Sequence, residues 1–110
     1  MNNNSIVSAS YNGKIIQGRR GDGYVNLTNM CNATGKRLDN WFRLKQTQEY
    51  LRALECSLTS EESLIKAVKG KFSGGQEQGT WGHPLVAVNL ARWISPEFAI
   101  WCDANIDVLS

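Results

Sequence analysis

Polar side chains near the start of one predicted helix have the chemistry needed to contact DNA bases. Arg43 can form two hydrogen bonds to guanine or bind a phosphate, and Asn40 or Gln46 can form two to adenine. Lys45 lies on the flank of the same helix and adds a positive charge. Because any solvent-exposed helix also carries Arg, Lys and Gln, this pattern by itself fits an ordinary surface helix as well.

Positive charge is concentrated in the first two thirds of the chain. Residues 14–71 carry eleven Lys and Arg against six Asp and Glu, whereas residues 72–110 carry one against four. A face that attracts anions, with nucleic acid as the usual partner, is one interpretation of this asymmetry, and an unevenly charged solvated surface is the other. The predicted nucleic-acid contacts are Arg19, Arg20, Lys36, Arg37, Asn40, Arg43, Lys45, Gln46, Lys66, Lys69 and Lys71.

Two helices joined by a tight turn are predicted to position these contacts. Asn26 is a favourable N-cap, apolar residues recur at helical spacing over 27–34, and Gly35 is the expected glycine just beyond the helix. Asp39 is the predicted N-cap of a second, amphipathic helix over 39–55. Such a pair is typical of a helix-turn-helix, although most sequences with this pattern lack the motif.

Two β-hairpins are predicted on either side of the helix pair. Asn12-Gly13 separates the apolar runs 5–11 and 14–19, and this dipeptide is the strongest short signal of a hairpin turn. Within 64–82, alternating apolar and basic residues precede a glycine-rich stretch and a return strand. This second hairpin would form a wing able to reach a phosphate backbone, with lysines at or near its tip: Lys66, Lys69 and Lys71.

The C-terminal part of the chain contains two predicted packing helices. Pro84 and Pro96 suit first helical positions, where the missing N–H group costs nothing, and Ser95 is a favourable N-cap for the second helix. Residues 85–94 are almost all apolar, so the first of these helices is predicted to be buried and to anchor the domain. The second helix is predicted to run from residue 96 to about residue 108.

The reactive side chains lack the spacing of a catalytic or metal site. His83 is the only histidine, and the three cysteines form neither a CxxC pair nor a zinc-finger spacing. No nucleophile, base and orienting group can be assigned, so we predict no catalysis, no metal and no cofactor. Unpaired cysteines, together with the lack of a secretory signal or a membrane-length apolar run, indicate an intracellular protein that does not enter a membrane.

Several separated motifs resemble those of one known family. They are Asp22-Gly23-Tyr24-Val25-Asn26, Gly35-Lys36-Arg37 with Trp41 and Leu44, Gly79-Thr80-Trp81 with His83-Pro84, and the stretch from Ala91 to Ala99. In this order, over about residues 14–103, they resemble the KilA-N domain of phages, bacteria and large DNA viruses. That domain is itself similar to the fungal APSES DNA-binding domain.

The resemblance implies a compact α+β domain with a helix-turn-helix-like core, a β-hairpin wing and two C-terminal packing helices. Residues 1–13 would be a tail and first strand, and residues 14–110 the DNA-binding domain. The implied function is that of a non-enzymatic, regulator-type module that binds double-stranded DNA, with room for a C-terminal domain or protein partner. The family's signature residues are implied to build the core: Tyr24, Trp41, Trp81, His83, Pro84, Trp93 and Phe98.

Three positions depart from the family's pattern. Leu27 stands where a small residue is common, Gly82 where a bulky aliphatic residue is common, and Leu85 where a polar residue is common. We expect Gly82 to loosen the return strand of the wing and Leu85 to add an apolar surface for a partner. A protein-interaction module on the same fold is the alternative function, because the positive excess over residues 14–71 is modest and glutamates interrupt it.

Overall fold

The first two strands form the hairpin that the Asn-Gly dipeptide predicts. In the computed structural model, which describes residues 5–58, 63–68 and 78–109, β1 (Ile6–Tyr11) pairs antiparallel with β2 (Lys14–Arg19). Asn12 and Gly13 have φ angles of 52° and 75°. Both angles are left-handed, as a two-residue turn between twisted strands requires, so this prediction is confirmed.

The described residues form one five-stranded antiparallel sheet. Its remaining strands are β3 (Val25–Asn26), β4 (Ile65–Val68) and β5 (Gly79–Gly82), and the strand order is β1-β2-β3-β5-β4. The pairing of β4 with β5 agrees with the predicted second hairpin, whose connecting residues 69–77 lie outside the described ranges. Strand β3 is too short to show a period and was not predicted, yet it joins the two hairpins into one sheet.

The first helix begins and ends where the sequence predicts. Helix α1 (Leu27–Thr34) is capped by Asn26, whose Oδ1 accepts a hydrogen bond from the Asn29 N–H at 3.1 Å, and it ends at Gly35. Asn26 is fully buried and lies against Gly79, where an added Cβ would come within 2.8 Å of Asn26 Oδ1. Gly79 also has a φ of 143°, so glycine is needed there both for the backbone angle and for the close approach.

The predicted helix over 39–55 is wrong, because the structure divides it in two. Helix α2 (Leu38–Phe42) is followed by α3 (Lys45–Ser57), and Leu44 between them has an extended backbone. Trp41 and Leu54 are both buried, but on one continuous helix they would lie about 140° apart around the axis. The break allows α2 to bury Trp41 while α3 turns a different side, with Thr47 and Leu54, toward the core.

The two C-terminal helices are confirmed with their caps. In α4 (Pro84–Ile94) the first residue is proline, and in α5 (Pro96–Leu109) the Ser95 Oγ accepts a hydrogen bond from the Phe98 N–H at 3.0 Å. Helix α5 packs on the first hairpin, where the Tyr11 ring meets the Phe98 ring edge-on at 4.9 Å between centroids. The core therefore lies between α1 and the sheet on one side and α4 and α5 on the other.

Burial agrees with the expected core at most of the signature aromatic positions. Tyr24, Trp41, Trp81 and Phe98 are buried, whereas three other signature residues are only half-buried: His83, Pro84 and Trp93. These three lie at the start of α4 and near its end, at the border of the core. The radius of gyration of 13.3 Å equals the ~13 Å expected of a compact domain of this length, so the α+β single-domain prediction is confirmed.

Leu27 and Gly82, two of the departures from the family's pattern, compensate each other. Gly82 is buried and pairs with Val25 on one side and Ile65 on the other, so the return strand is not loosened as expected. A Cβ at position 82 would lie 2.9 Å from Leu27 Cδ1, and Leu27 is fully buried. The large Leu27 side chain therefore occupies the space that a larger residue at position 82 would need.

Gly82→Val is accordingly expected to lower the free energy of unfolding by about 1–3 kcal/mol, because the added side chain would press on the fully buried Leu27. Chemical denaturation in urea measures this loss. In the double variant with Leu27→Ala, the total loss should be smaller than the sum of the single losses by at least about 1 kcal/mol. Losses that simply add would show that the two positions do not share this space.

Candidate nucleic-acid interface

An exposed cluster of side chains surrounds the short helix α2. We call it the α2 cluster, and it consists of Arg37, Asp39, Asn40 and Arg43. The side chains of Arg37 and Arg43 are 74% and 71% exposed, yet both are held in place by hydrogen bonds. Two guanidinium groups are thus presented to solvent beside partners that orient them, which favours binding of phosphates or base edges.

Asp39 organises the two arginines of the α2 cluster. Its Oδ1 accepts a hydrogen bond from Arg37 Nε at 3.3 Å, and its Oδ2 lies 3.9 Å from Arg43 Nη2. The hydrogen bond from Arg37 is the main reason that the pKa of the Asp39 carboxyl lies below its ordinary value of 3.8. Asp39 is therefore ionised at neutral pH, and it is not the N-cap that the sequence predicts, because α2 already begins at Leu38.

Asn40 and Arg43 are joined directly. An Arg43 Nη2 hydrogen bond reaches Asn40 Oδ1, and Arg43 Nε donates to the backbone oxygen of Asp39 at 3.3 Å. The bond from Arg43 occupies one lone pair of the Asn40 amide oxygen and leaves the amide N–H groups available. Any DNA contact by one of these side chains consequently involves the other.

The helix break places Lys45 and Gln46 at the first turn of α3 instead of the middle of a longer helix. Both residues are exposed, and the N-cap residue Leu44 makes no side-chain capping bond. The backbone N–H groups and positive end of the helix dipole therefore add to the charge of Lys45. We call the exposed basic and amide residues of this segment, among which the exposed Asp39 also lies, the basic face: Lys36, Arg37, Asn40, Arg43, Lys45 and Gln46.

Arg19, predicted to contact nucleic acid, is instead a buried structural residue. Its side chain is only 10% exposed, its Nε donates to Asp22 Oδ1 at 3.1 Å, and its guanidinium lies 5.0 Å from the centre of the Tyr24 ring. The neighbouring Arg20 is exposed. Alternation along β2 does not reveal this, because the burial of Arg19 depends on the loop that follows the strand.

Asp22 is the partner that makes the burial of Arg19 possible. Burial opposes ionisation of Asp22, but hydrogen bonds from Arg19 and from the Tyr24 N–H outweigh it, so the pKa of this carboxyl lies below its ordinary value of 3.8. A folded-state pKa below the unfolded one stabilises the folded protein above the unfolded pKa. That contribution is lost as the pH falls through the folded pKa.

Asp22→Asn should therefore lower the free energy of unfolding at neutral pH by about 1–2 kcal/mol, since it removes the carboxylate that pairs with a buried guanidinium. Because protonation of Asp22 in the natural chain removes the same charge, the difference should shrink as the pH falls below about 4. Urea denaturation at neutral and at acidic pH measures both effects. Asp103→Asn, at an exposed position of α5, is the control; an Asp22 difference that is constant with pH would contradict this role.

Lys66 in β4 is also engaged with the signature motif. Its Nζ lies 5.0 Å from the centre of the Tyr24 ring, and the Tyr24 hydroxyl donates to the Ser63 backbone oxygen at 2.6 Å. These contacts attach the beginning of the second hairpin to the buried Tyr24. The two other predicted contacts of this hairpin, Lys69 and Lys71, lie outside the described residues.

Sequence reasoning missed Arg92, because it lies in the acidic C-terminal third of the chain. The structure places Arg92, on α4, beside Gln46 of the basic face, and both line a groove between α3 and α4. Lys36 Nζ lies 5.8 Å from the centre of the Trp93 ring, which lines the same groove. Only the packing of α4 against the α2–α3 segment brings these residues together.

The described residues offer little to catalysis or metal binding. His83 Nδ1 accepts a hydrogen bond from the Leu85 N–H at 3.0 Å, which is the capping role expected of a histidine at a helix start. Burial raises the pKa of the Cys31 thiol to about 11 and that of Cys102 to about 12, so neither is a thiolate at neutral pH. Within the described ranges no three His, Cys, Asp or Glu side chains are grouped to hold a metal ion.

The helices in the described part of the chain are too short or too polar for any of them to cross a bilayer.

Comparison with known proteins identifies relatives over nearly the whole chain. The profile of the KilA-N domain family matches residues 9–110. The chain is 25% identical over 107 residues to KilA-N domain-containing protein L4 of Acanthamoeba polyphaga mimivirus, and the aligned region covers 87% of the chain and 23% of that protein. It is 31% identical over 100 residues to KilA-N domain-containing protein L32 of the same virus, and here the aligned region covers 81% of the chain and 26% of that protein.

The chain thus spans about a quarter of the length of these two relatives. No solved structure matches it.

Proposed function

The chain belongs to the KilA-N domain family, and from this membership and the geometry of the basic face we propose that it binds double-stranded DNA and catalyses no reaction. The observation that carries the proposal is the α2 cluster, in which Asp39 and Asn40 hold two exposed guanidinium groups. Side chains fixed before binding lose less conformational entropy when they contact DNA than freely moving ones.

Contacts to phosphates supply most of the affinity in this proposal. In this arrangement Lys36, Arg37 and Lys45 bind phosphates. Arg43 and Asn40 enter a groove of the DNA as a joined pair, and Gln46 on α3 enters beside them. In this proposal α1 and α3 are the two helices that act like a helix-turn-helix. The short helix α2 lies in the connection between them and carries the α2 cluster. The β4–β5 hairpin serves as the wing, attached to the domain through Lys66 and Tyr24.

The place of action that follows from this function is the interior of a cell, or of a host cell if the protein is viral. The role would be that of a regulator-type DNA-binding module. The chain would then correspond to one part of a longer protein, since it spans only about a quarter of the KilA-N domain-containing relatives. Any sequence preference would come from Arg43, Asn40 and Gln46, whose side chains match base edges.

A protein-interaction module is the second candidate function. Ile15, Leu85 and Ile100 are 60%, 43% and 69% exposed, and exposed large apolar side chains support contacts with other proteins. The exposure of Leu85 agrees with the expectation that it adds an apolar surface. DNA binding is preferred because the basic face has a defined geometry, whereas single exposed apolar residues are common on monomeric proteins.

The test is binding of the purified chain to a random-sequence DNA duplex over a series of salt concentrations. A linear decrease of log affinity with log salt, with a slope that corresponds to the release of several counterions, is the expected result. Fluorescence anisotropy of a labelled duplex measures it. Lack of binding at low salt would reject the proposal and favour the protein-interaction function.

A further inference from the structure

The groove between α3 and α4 combines an exposed arginine with aromatic walls. Its volume is about 410 Å³, and its lining residues are Trp41, Gln46, Thr47, Tyr50, Asn89, Arg92 and Trp93. None of them is acidic. In the described part of the chain, no carboxylate forms a salt bridge with Arg92, which is exposed.

The walls of the groove are held by internal hydrogen bonds. Trp41 Nε1 donates to Asn89 Oδ1 at 3.2 Å, and the Tyr50 hydroxyl donates to the Leu85 backbone oxygen at 3.2 Å. Thr47 is 2% exposed and closes the floor. The groove therefore keeps its shape through contacts of α2 and α3 with α4, while Arg92 and Gln46 retain side chains that can bind a ligand.

The groove is continuous with the basic face. Gln46 belongs to both, and Lys36 lies over the Trp93 ring at the other side of the groove. The Lys36 ammonium lies near the outer limit of a cation–π contact with Trp93, so its N–H groups can also bind an anion. A polyanion bound along the basic face, which includes Lys36, consequently meets one further cation in the groove, Arg92.

A second groove on the opposite side of α3 provides a contrast. It has a volume of about 350 Å³ and is lined by Gln48, Leu51, Arg52, Glu55, Ser63, Leu64 and Ile65. There Arg52 and Glu55 lie three residues apart on one helix, so the positive charge is offset by a negative one. This groove lacks the charge excess of the first, which makes Arg52 a matched control for Arg92.

We propose that the α3–α4 groove is a second contact site for the DNA backbone, in which Arg92 binds one phosphate and Lys36 a neighbouring one. This inference rests on the proposed function and extends the interface from α2 and α3 onto α4. Phosphates lie roughly 7 Å apart along a strand, since consecutive nucleotides rise 3.4 Å per strand and the backbone winds around the axis. With Arg92 on its wall and Lys36 at its edge, the groove offers two cations to such a row of charges.

The experiment compares Arg92→Gln, Lys36→Gln and Arg52→Gln with the unchanged chain in the duplex salt series. Arg92→Gln and Lys36→Gln should each weaken binding about five- to tenfold at low salt and reduce the log–log salt slope by about one. Arg52→Gln should change neither quantity. Because Arg92 is exposed, its variant should keep the melting temperature of the unchanged chain, which confirms that the domain is folded.

The outcomes separate this inference from the proposed function. If the unchanged chain binds the duplex but Arg92→Gln has the affinity and slope of Arg52→Gln, the groove contact is rejected and the basic face remains. If the unchanged chain does not bind the duplex at all, both proposals fail. A loss of affinity in Arg92→Gln without a change of slope would also reject it, because a phosphate contact releases counterions.

Discussion

Replacing Arg37 and Arg43 together with alanine is expected to weaken duplex binding about 100-fold and to reduce the salt slope by about two. Each substitution removes one charge-assisted contact, worth about 1.5 kcal/mol or more, and about 1.4 kcal/mol corresponds to a factor of ten in affinity. Asp39, which now pairs with both arginines, would remain as an unpaired negative charge that repels phosphates. The loss should therefore exceed that of any single variant on α4.

The measurement is fluorescence anisotropy with the same labelled duplex at several salt concentrations. Arg52→Ala, on the α3 side that carries Glu55, is the control and should bind like the unchanged chain. Both arginines of the α2 cluster are more than 70% exposed, so the double variant should keep its melting temperature. A folded double variant that binds as tightly as the control would show that DNA does not use this face.

Trp41→Ala is expected to have the largest effect on stability, a loss of about 3–5 kcal/mol in the free energy of unfolding. Trp41 is completely buried, its ring lies 5.0 Å from the Phe42 ring, and it donates a hydrogen bond to Asn89 on α4. The substitution opens a large cavity and also leaves the side-chain oxygen of the half-buried Asn89 without this donor. Against a typical total stability of about 5–15 kcal/mol, this loss can unfold the domain.

Urea denaturation followed by circular dichroism measures the change. Trp93→Ala is the matched control, because Trp93 is also a signature tryptophan but only half-buried, and its loss should be clearly smaller. Trp41→Phe keeps most of the apolar volume and loses the hydrogen bond, so its loss in free energy of unfolding should lie between those of Trp93→Ala and Trp41→Ala. Equal losses for Trp41→Ala and Trp93→Ala would contradict the placement of Trp41 at the centre of the core.

The elements that could be predicted from the sequence are those controlled by neighbouring residues. The Asn12-Gly13 turn depends on two backbone angles, and the caps at Asn26 and Ser95 depend on hydrogen bonds to residues three positions later. Such local preferences hold in any tertiary context in which the neighbouring residues keep the same backbone conformation. The family resemblance, built on separated short motifs, also followed from residue identity alone and agrees with the match over residues 9–110.

The candidate interface was predicted only in part. The polar side chains between Lys36 and Gln46 are exposed, as their polarity indicates, but the division of the helix at Leu44 changes which residues begin a helix. That division follows from burying Trp41 and Leu54 on different sides, a requirement set by helices and strands far away in the sequence. The helical pattern of one segment contains no information on contacts with such distant elements, so it does not predict the division.

Tertiary structure alone decided the surroundings of Arg19 and Arg92. Both carry the same charge, and the sequence places Arg19 in the basic part and Arg92 in the acidic part of the chain. Folding buries Arg19 against Asp22 and Tyr24, and it brings Arg92 beside Gln46. The charge of a segment is a property of its residues, but the exposure and neighbours of each charge depend on contacts between distant segments, which only the packed structure specifies.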